Sequence, residues 1–350
     1  IRDLRKKIGT LKTAIDADKR MRTGYNVSGT ETGRWSSNES CFMSGTNLQN
    51  ITDELREVFI TDTGWKFAYI DGEQAESRVV AYESGDENYI AACEGGDLHT
   101  AVARMLWPDL KWSDEDPKHN KEVAGEKFYE HFSYRDLAKR LGHGTNYYGS
   151  PYQMAKHVHV KQEVVEDFQE MYLGRAFPGI AAWHQATATR LQTQGYLDTP
   201  MGRRRYFFGR LDDPNTLKEA IAYVPQATIG EWLNLGLYKL WEEMDLGTQE
   251  LQCMMQVHDA VLIQYPDISP EHQRKVLKKA CQLMEFPIKM RHGSCLIPVD
   301  VEGVGWNWRK YKAGYNDNPD SLMGLEQDEQ LQRKRQRTPE EATDLLARLL

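Results

Sequence analysis

The apolar positions change their period along the chain. Residues 65–71 (WKFAYID) form a dense apolar and aromatic run that closes on an aspartate, the pattern of a buried strand. SRVVAYESGD (77–86) switches to helical spacing, and residues 87–107 hold a second helical pattern that stops at Trp107-Pro108. Residues 109–121 read as a polar linker. Residues 128–151 begin helical and stop at a Gly/Pro cluster, and 152–195 predict two more helices joined near Phe177-Pro178-Gly179. A hairpin is expected at 196–210 and a long helix at 215–244. LQCMMQVHDAVLIQYP (251–266) predicts two apolar strands around a turn at His258-Asp259. A helix from Asp267 to Met284 and a last strand near 296–304 follow.

The ends read differently. Residues 1–22 predict a polar, basic helix, and 23–50, rich in Gly, Ser, Thr and Asn, a loop with short extended pieces. Residues 313–337 are charged without clear periodicity. Thr338-Pro339-Glu340-Glu341 is a helix start, leading into Leu345, Leu346, Leu349 and Leu350. That last helix can dock on its own domain or on a missing segment or partner. No internal repeat is visible.

The chain has 350 residues, enough for about two domains and for a core that needs no disulfide or metal staple. A net charge of −8 argues against a small histone-like DNA binder, but not against a local basic cleft. Residues 1–34 carry nine basic and four acidic side chains, and Arg203, Arg204, Arg205 and Arg210 form a second basic cluster. Five cysteines without a C-x-x-C pair argue against a disulfide framework or zinc site and favour a reducing, cytoplasmic compartment. No apolar run approaches a membrane span, and no signal peptide is visible. The start at Ile1 suggests a fragment, a processed product or half of a split protein.

Two aspartates carry the first candidate chemistry. Asp71 ends an apolar strand, and Asp259 sits in a turn between two strands. Carboxylates there are costly unless paired or hydrogen-bonded. Two divalent ions would relieve their repulsion, and hard oxygen ligands select Mg²⁺. Arg135, Lys139, His143 and Tyr147 recur every four residues, so a helix would set them along one broad face. The two cations suit a triphosphate, and the rings beyond them can pack on a base. Taken singly, two such aspartates are more often structural than catalytic, and such a helix row is more often a solvated face.

In order and spacing, these pieces resemble the family A DNA polymerases of bacterial and phage type, over about residues 23–310. GTETGRWSS (29–37) with NLQNI (47–51) is similar to the segment before the first catalytic aspartate. DGEQAESR (71–78) resembles motif A, RDLAKRLGHGTNYYG (135–149) motif B, and VHDA (257–260) motif C. The resemblance implies an α/β fold: a right-hand polymerase with a palm sheet, helical fingers and a thumb mostly absent. The expected division is 1–50 thumb remnant and palm entry, 51–115 first palm part, 116–195 fingers, 196–312 second palm part and 313–350 a charged tail.

The resemblance also implies roles. Asp71 and Asp259, with the Gly72 carbonyl, would bind two Mg²⁺ ions, with Mn²⁺ as a substitute. Lys139 would join the aspartates in catalysis and, with Arg135 and His99, hold the triphosphate. Glu76 would be the steric gate against a 2′-hydroxyl, with Gln74 near the incoming nucleotide and Arg78 behind the site. His143 would pack on the nucleotide, and Tyr147 or Tyr148 would close over the new pair. Arg34 and Gln226 would lie in the minor groove and His258 near the primer terminus. Asn47, Gln49, Arg203 and Arg204 complete the implied DNA contacts.

Ala260 replaces the glutamate usual after the second aspartate, and His143 the usual Phe or Tyr. The implied activity is primer extension from dNTPs on a DNA template, with no proofreading exonuclease in this chain. Primer-template DNA and a missing thumb or exonuclease segment are the implied partners, and no membrane. A phage-type RNA polymerase and a catalytically silent subunit of a split polymerase are the alternatives. Glu76 argues against the first, and retention of Asp71, Asp259 and Lys139 against the second.

Overall fold

The computed structural model describes residues 8, 9, 11, 14–56, 58–245 and 251–308. The expected tail at 313–350, with its terminal helix, lies outside the described residues.

In chain order, β1 (Gly24–Asn26) and β2 (Ser36–Asn38) pair antiparallel and precede α1 (Asp53–Arg56) and β3 (Trp65–Gly72). Helices α2 (Ala75–Ser84), α3 (Glu87–Glu94), α4 (Leu98–Leu106) and α5 (Pro117–Gly125) follow. A hairpin, β4 (Lys127–Tyr129) and β5 (Phe132–Ser133), leads into α6 (Tyr134–Asn146), α7 (Pro151–Val158), α8 (Gln162–Met171) and α9 (Pro178–Gln194). A second hairpin, β6 (Tyr196–Asp198) and β7 (Arg204–Tyr206), precedes the long α10 (Pro214–Leu240). The chain continues through β8 (Gln252–Val257), β9 (Ala260–Pro266), α11 (Pro270–Met284), the hairpin of β10 (Ile288–Met290) and β11 (Gly293–Cys295), and β12 (Val299–Gly305).

The described residues fall into two compact units. One holds those up to Glu73, Gly230–Phe286 and those from Leu296 on; the other holds Gln74–Ile229 and Pro287–Cys295. The first is built on an antiparallel sheet of order β12-β3-β9-β8. Central β3 is buried from Lys66 to Ile70, which explains its unbroken apolar run. Lys66 is accommodated there by an ion pair to Asp267 at 3.0 Å. One sheet face presents Phe67, Tyr69, Val257 and Leu262 to Leu11, Leu48, Leu55 and Trp308. On the other face, Trp232 of α10 donates its indole N–H to the Met284 carbonyl at 3.0 Å and lies over Gly72.

The second unit is helical, packed around Leu98, Leu137, Leu141, Phe168 and Trp183. Tyr89, Tyr172 and Phe177 meet edge-on, with ring centroids 4.8 to 6.3 Å apart. Buried Asn146 donates to the Tyr89 hydroxyl at 2.8 Å and accepts from Tyr172 at 3.0 Å, so the C-terminal end of α6 is fixed by satisfied polar groups. Among the described residues no helix is long and apolar enough to cross a membrane.

Several expectations change. Where two helices were expected over 152–195, three form: α7, α8 and α9. The basic helix does not run through 14–22: Ile15 bridges Met21, and Arg22 closes a turn onto Asp16 and Asp18. The linker at 109–121 ends in α5, started by Asp116, which caps two amides, and by Pro117 at the first helical turn. The β4–β5 and β10–β11 hairpins have strands of two or three residues, too short to show a period of two.

Candidate active site

In the first unit, the two aspartates stand side by side. Asp71 is the penultimate residue of β3, with Ala260 of β9 and Asp300 of β12 as its cross-strand partners. The Gly72 amide donates to the Asp259 carbonyl at 3.2 Å, so a backbone bond ties the end of β3 to the β8–β9 turn. Both aspartates are partly exposed. Gly72 has no room for a side chain: an added Cβ would stand 2.8 Å from Trp232 Cη2.

The turn itself is held by an inner network. Gln256 donates its side-chain amide to the His258 carbonyl at 2.6 Å, and exposed His258 adopts φ +56°, which few residues other than glycine do. The Tyr25 hydroxyl accepts from the Gln256 amide at 3.0 Å and donates to the Gln256 carbonyl at 2.7 Å. Burial pushes the Tyr25 phenol up to about 12, so its proton stays in place for that bond. Gln49 donates to the Gln256 side chain at 2.6 Å and accepts from the Ser37 amide at 3.0 Å. Its amide is thus engaged inside the protein, while Asn47 accepts from the Gln49 amide as a helix cap. Arg34 packs against Gly230 of α10.

In the second unit, α6 begins with a capping box between Ser133 and Asp136. Arg135 forms a bidentate pair with Asp97, both N···O distances being 3.0 Å. Asp97 also caps α4 through the Thr100 amide. Burial pushes the Asp97 carboxyl up, but the Arg135 bonds and charge and the bonds from Thr100 outweigh it and hold it below the usual range. Lys139, one turn on, is exposed and has no ion pair among the described residues. His99 is pushed down to about 4, first by desolvation and then by the charges of Arg135 and Lys139, so it is neutral at pH 7.

Further along α6, His143 Nε2 stands 3.8 Å from Glu76 Oε2 and its ring meets Tyr147 edge-on. Tyr147 is the C-cap of α6, is buried, and donates to Glu76 Oε2 at 2.7 Å. Tyr148 instead adopts φ +56° and turns edge-on to His184. Gln74, also at positive φ, starts α2; its amide donates to the Gly96 carbonyl at 2.8 Å while its buried Oε1 has no partner among the described residues. Arg78 is buried and bound to Glu94 and the Cys93 carbonyl. Gln226 follows Pro225 inside α10, and Arg204 pairs with Asp198 on the β6–β7 hairpin. The Arg203 amide donates to Thr199 at the turn of that hairpin.

The sequence model of DNA polymerase family A matches residues 2–310. The chain belongs to DNA polymerase family A. This family A chain is 29% identical to a thermostable DNA polymerase I of Thermus filiformis over 307 residues, covering 84% of this chain and 33% of that protein. It is 28% identical to DNA polymerase I of Chloroflexus aurantiacus over 305 residues, 83% of this chain and 29% of the relative. The family A chain thus spans about a third of the length of these relatives. Among solved structures, the POL domain of Pol1 from M. smegmatis, in complex with DNA primer-template and dNTP, matches with a TM-score of 0.70 at 24% identity. That match covers 86% of this chain and 50% of the other, and it supports the α/β polymerase fold.

Sequence reasoning missed the partner of Arg135 and the Tyr25–Gln256 support of the acidic turn. In the sequence Asp97 is simply the acid two residues before His99. Nothing local marks it as an arginine partner 38 residues away.

Proposed function

We propose that the chain catalyses template-directed DNA synthesis, joining dNTPs to a primer 3′-hydroxyl with release of pyrophosphate. The observation that carries this reading is the side-by-side placement of Asp71 and Asp259, tied by the Gly72–Asp259 backbone bond, in a chain of DNA polymerase family A. Two carboxylates and the Gly72 carbonyl form a hard-oxygen donor set that fits Mg²⁺, with Mn²⁺ as a substitute. Bound there, two divalent ions supply Lewis acidity at the attacking hydroxyl and the leaving pyrophosphate.

The remaining roles belong to side chains. Lys139 offers a charge to the triphosphate and a proton to pyrophosphate, with Arg135 one turn before it on α6 and neutral His99 on α4 within reach of both charges. Gln74 Oε1 accepts from the nucleotide. Glu76, with Tyr147 and His143 upon it, faces the sugar and disfavours a 2′-hydroxyl. Arg34, Asn47, Gln226, Arg203, Arg204 and His258 contact primer and template, with Gln49 shaping that loop from inside. In this reading 51–115 and 196–312 are palm and 116–195 fingers, with 1–50 as thumb remnant and palm entry.

Extension of a 5′-labelled primer with Mg²⁺ and dNTPs tests the proposal. The parent extends the primer, and Asp71→Asn or Asp259→Asn lowers the rate at least about 10²-fold while duplex binding persists. Parent-like extension by either variant, or a preference for rNTPs, overturns it.

A further inference from the structure

Beside Arg203 and Arg204, the β6–β7 hairpin carries aromatic side chains that the roles proposed above leave unused. Register sets Tyr196 opposite Tyr206 and Asp198 opposite Arg204, so these four side chains share one face. The opposite face is occupied. Leu197 and Phe207 are buried, and the Arg205 guanidinium lies 4.5 Å over the Phe207 ring. The first face is open: Tyr206 is 53% exposed, and Phe208, next in the alternation, is 96% exposed.

The open face is an ordered row of rings. Tyr196 and Tyr206 have centroids 5.5 Å apart, and Tyr206 and Phe208 stack at 6.5 Å with planes 25° apart. Arg204 caps one end, 4.0 Å over Tyr196, with its fork held by Asp198. Arg210, with 82% of its side chain exposed, follows the other end and pairs with Asp212.

Two solvent-facing rings beside a half-buried third, with a guanidinium at each end, do not form a core. They form a platform for flat rings joined by anionic links: bases stack on the aromatics while phosphates meet arginine. A duplex hides its base faces in its own stack, whereas an unpaired strand presents them. The geometry points to a single-stranded DNA track on this hairpin. Unpaired template bases stack on Phe208, Tyr206 and Tyr196, and Arg204 and Arg210 meet the backbone. The choice of DNA rests on the polymerase reading; the stacking rests on the hairpin.

Fluorescence anisotropy with labelled oligo(dT), in EDTA and without dNTP, tests this on the full chain beside a blunt duplex of equal length. Phe208→Ala weakens oligo(dT) binding about tenfold, and Tyr206→Ala/Phe208→Ala weakens it further. Duplex affinity and the salt slope hold in both. Phe208→Trp retains affinity where Phe208→Leu loses it. Arg210→Ala lowers the salt slope by about 0.7. Unchanged melting temperatures separate lost binding from lost fold. Parent-like oligo(dT) affinity in the double variant overturns the track, as does an equal loss on the duplex. If the parent still extends primers in that case, the polymerase reading stands and only this inference falls.

Discussion

The Tyr147 hydroxyl donates a 2.7 Å hydrogen bond to Glu76 Oε2, joining the end of α6 to the first turn of α2. That bond fixes which way the carboxylate faces. In the polymerase reading it therefore sets sugar choice. Glu76→Ala is expected to raise the kcat/KM for an rNTP relative to its dNTP by about 10- to 100-fold. Tyr147→Phe keeps the carboxylate but frees it, with an expected shift of about threefold to tenfold. Single-nucleotide insertion kinetics with matched dNTP and rNTP measure both.

The Arg135–Asp97 pair makes a prediction about stability. Asp97→Asn removes a bidentate partner that is only half-buried, so the expected loss is about 1 kcal/mol in urea denaturation. Asp97's carboxyl is held below its usual range in the folded protein. Its contribution is therefore complete above about pH 4–5 and fades as pH falls through the folded value. The stability difference between parent and variant should be flat from pH 5 to 8 and shrink below that.

His99 titrates with the opposite chemistry. The unfolded chain protonates this imidazole near its usual value of 6.5, whereas the folded protein resists until about 4. Between those values the unfolded state binds more protons, so stability falls as pH drops from about 7 toward 4. His99→Gln should flatten that part of the pH–stability curve. An identical curve for the variant would show that desolvation of His99 contributes nothing.

Gly72 predicts a packing defect. Trp232 is fixed by its bond to Met284, so it cannot move away from a Cβ at 2.8 Å. Gly72→Ala is expected to cost about 1–3 kcal/mol by thermal or urea unfolding. Trp232→Phe in the same chain should recover part of that loss, because the smaller ring opens the space.

β3 was legible because an unbroken apolar run from 67 to 70 has few other solutions, and the α6 row because four-residue spacing survives in one helix. Tyr147 and Tyr148 could not be separated. Their directions depend on where α6 ends and on the positive φ of Tyr148, and neither is a periodic property. The N-terminal charges misled for a related reason. Arg22 reads as a helix-surface residue, but it pairs back to Asp16 and Asp18 across a turn. The supports of Asp259 were illegible because Tyr25 and Gln256 are 231 residues apart.

That separation bears on how the chain acquires its acidic turn during synthesis. At ~5–20 residues per second, a ribosome needs roughly 10–50 s to pass from Tyr25 to Gln256. The N-terminal hairpin must wait that long for the strand it grips, with its loop-closure entropy still unrecovered. The turn bearing Asp259 is thus assembled late, and a nascent chain stalled before β8 would hold Asp71 without its neighbour.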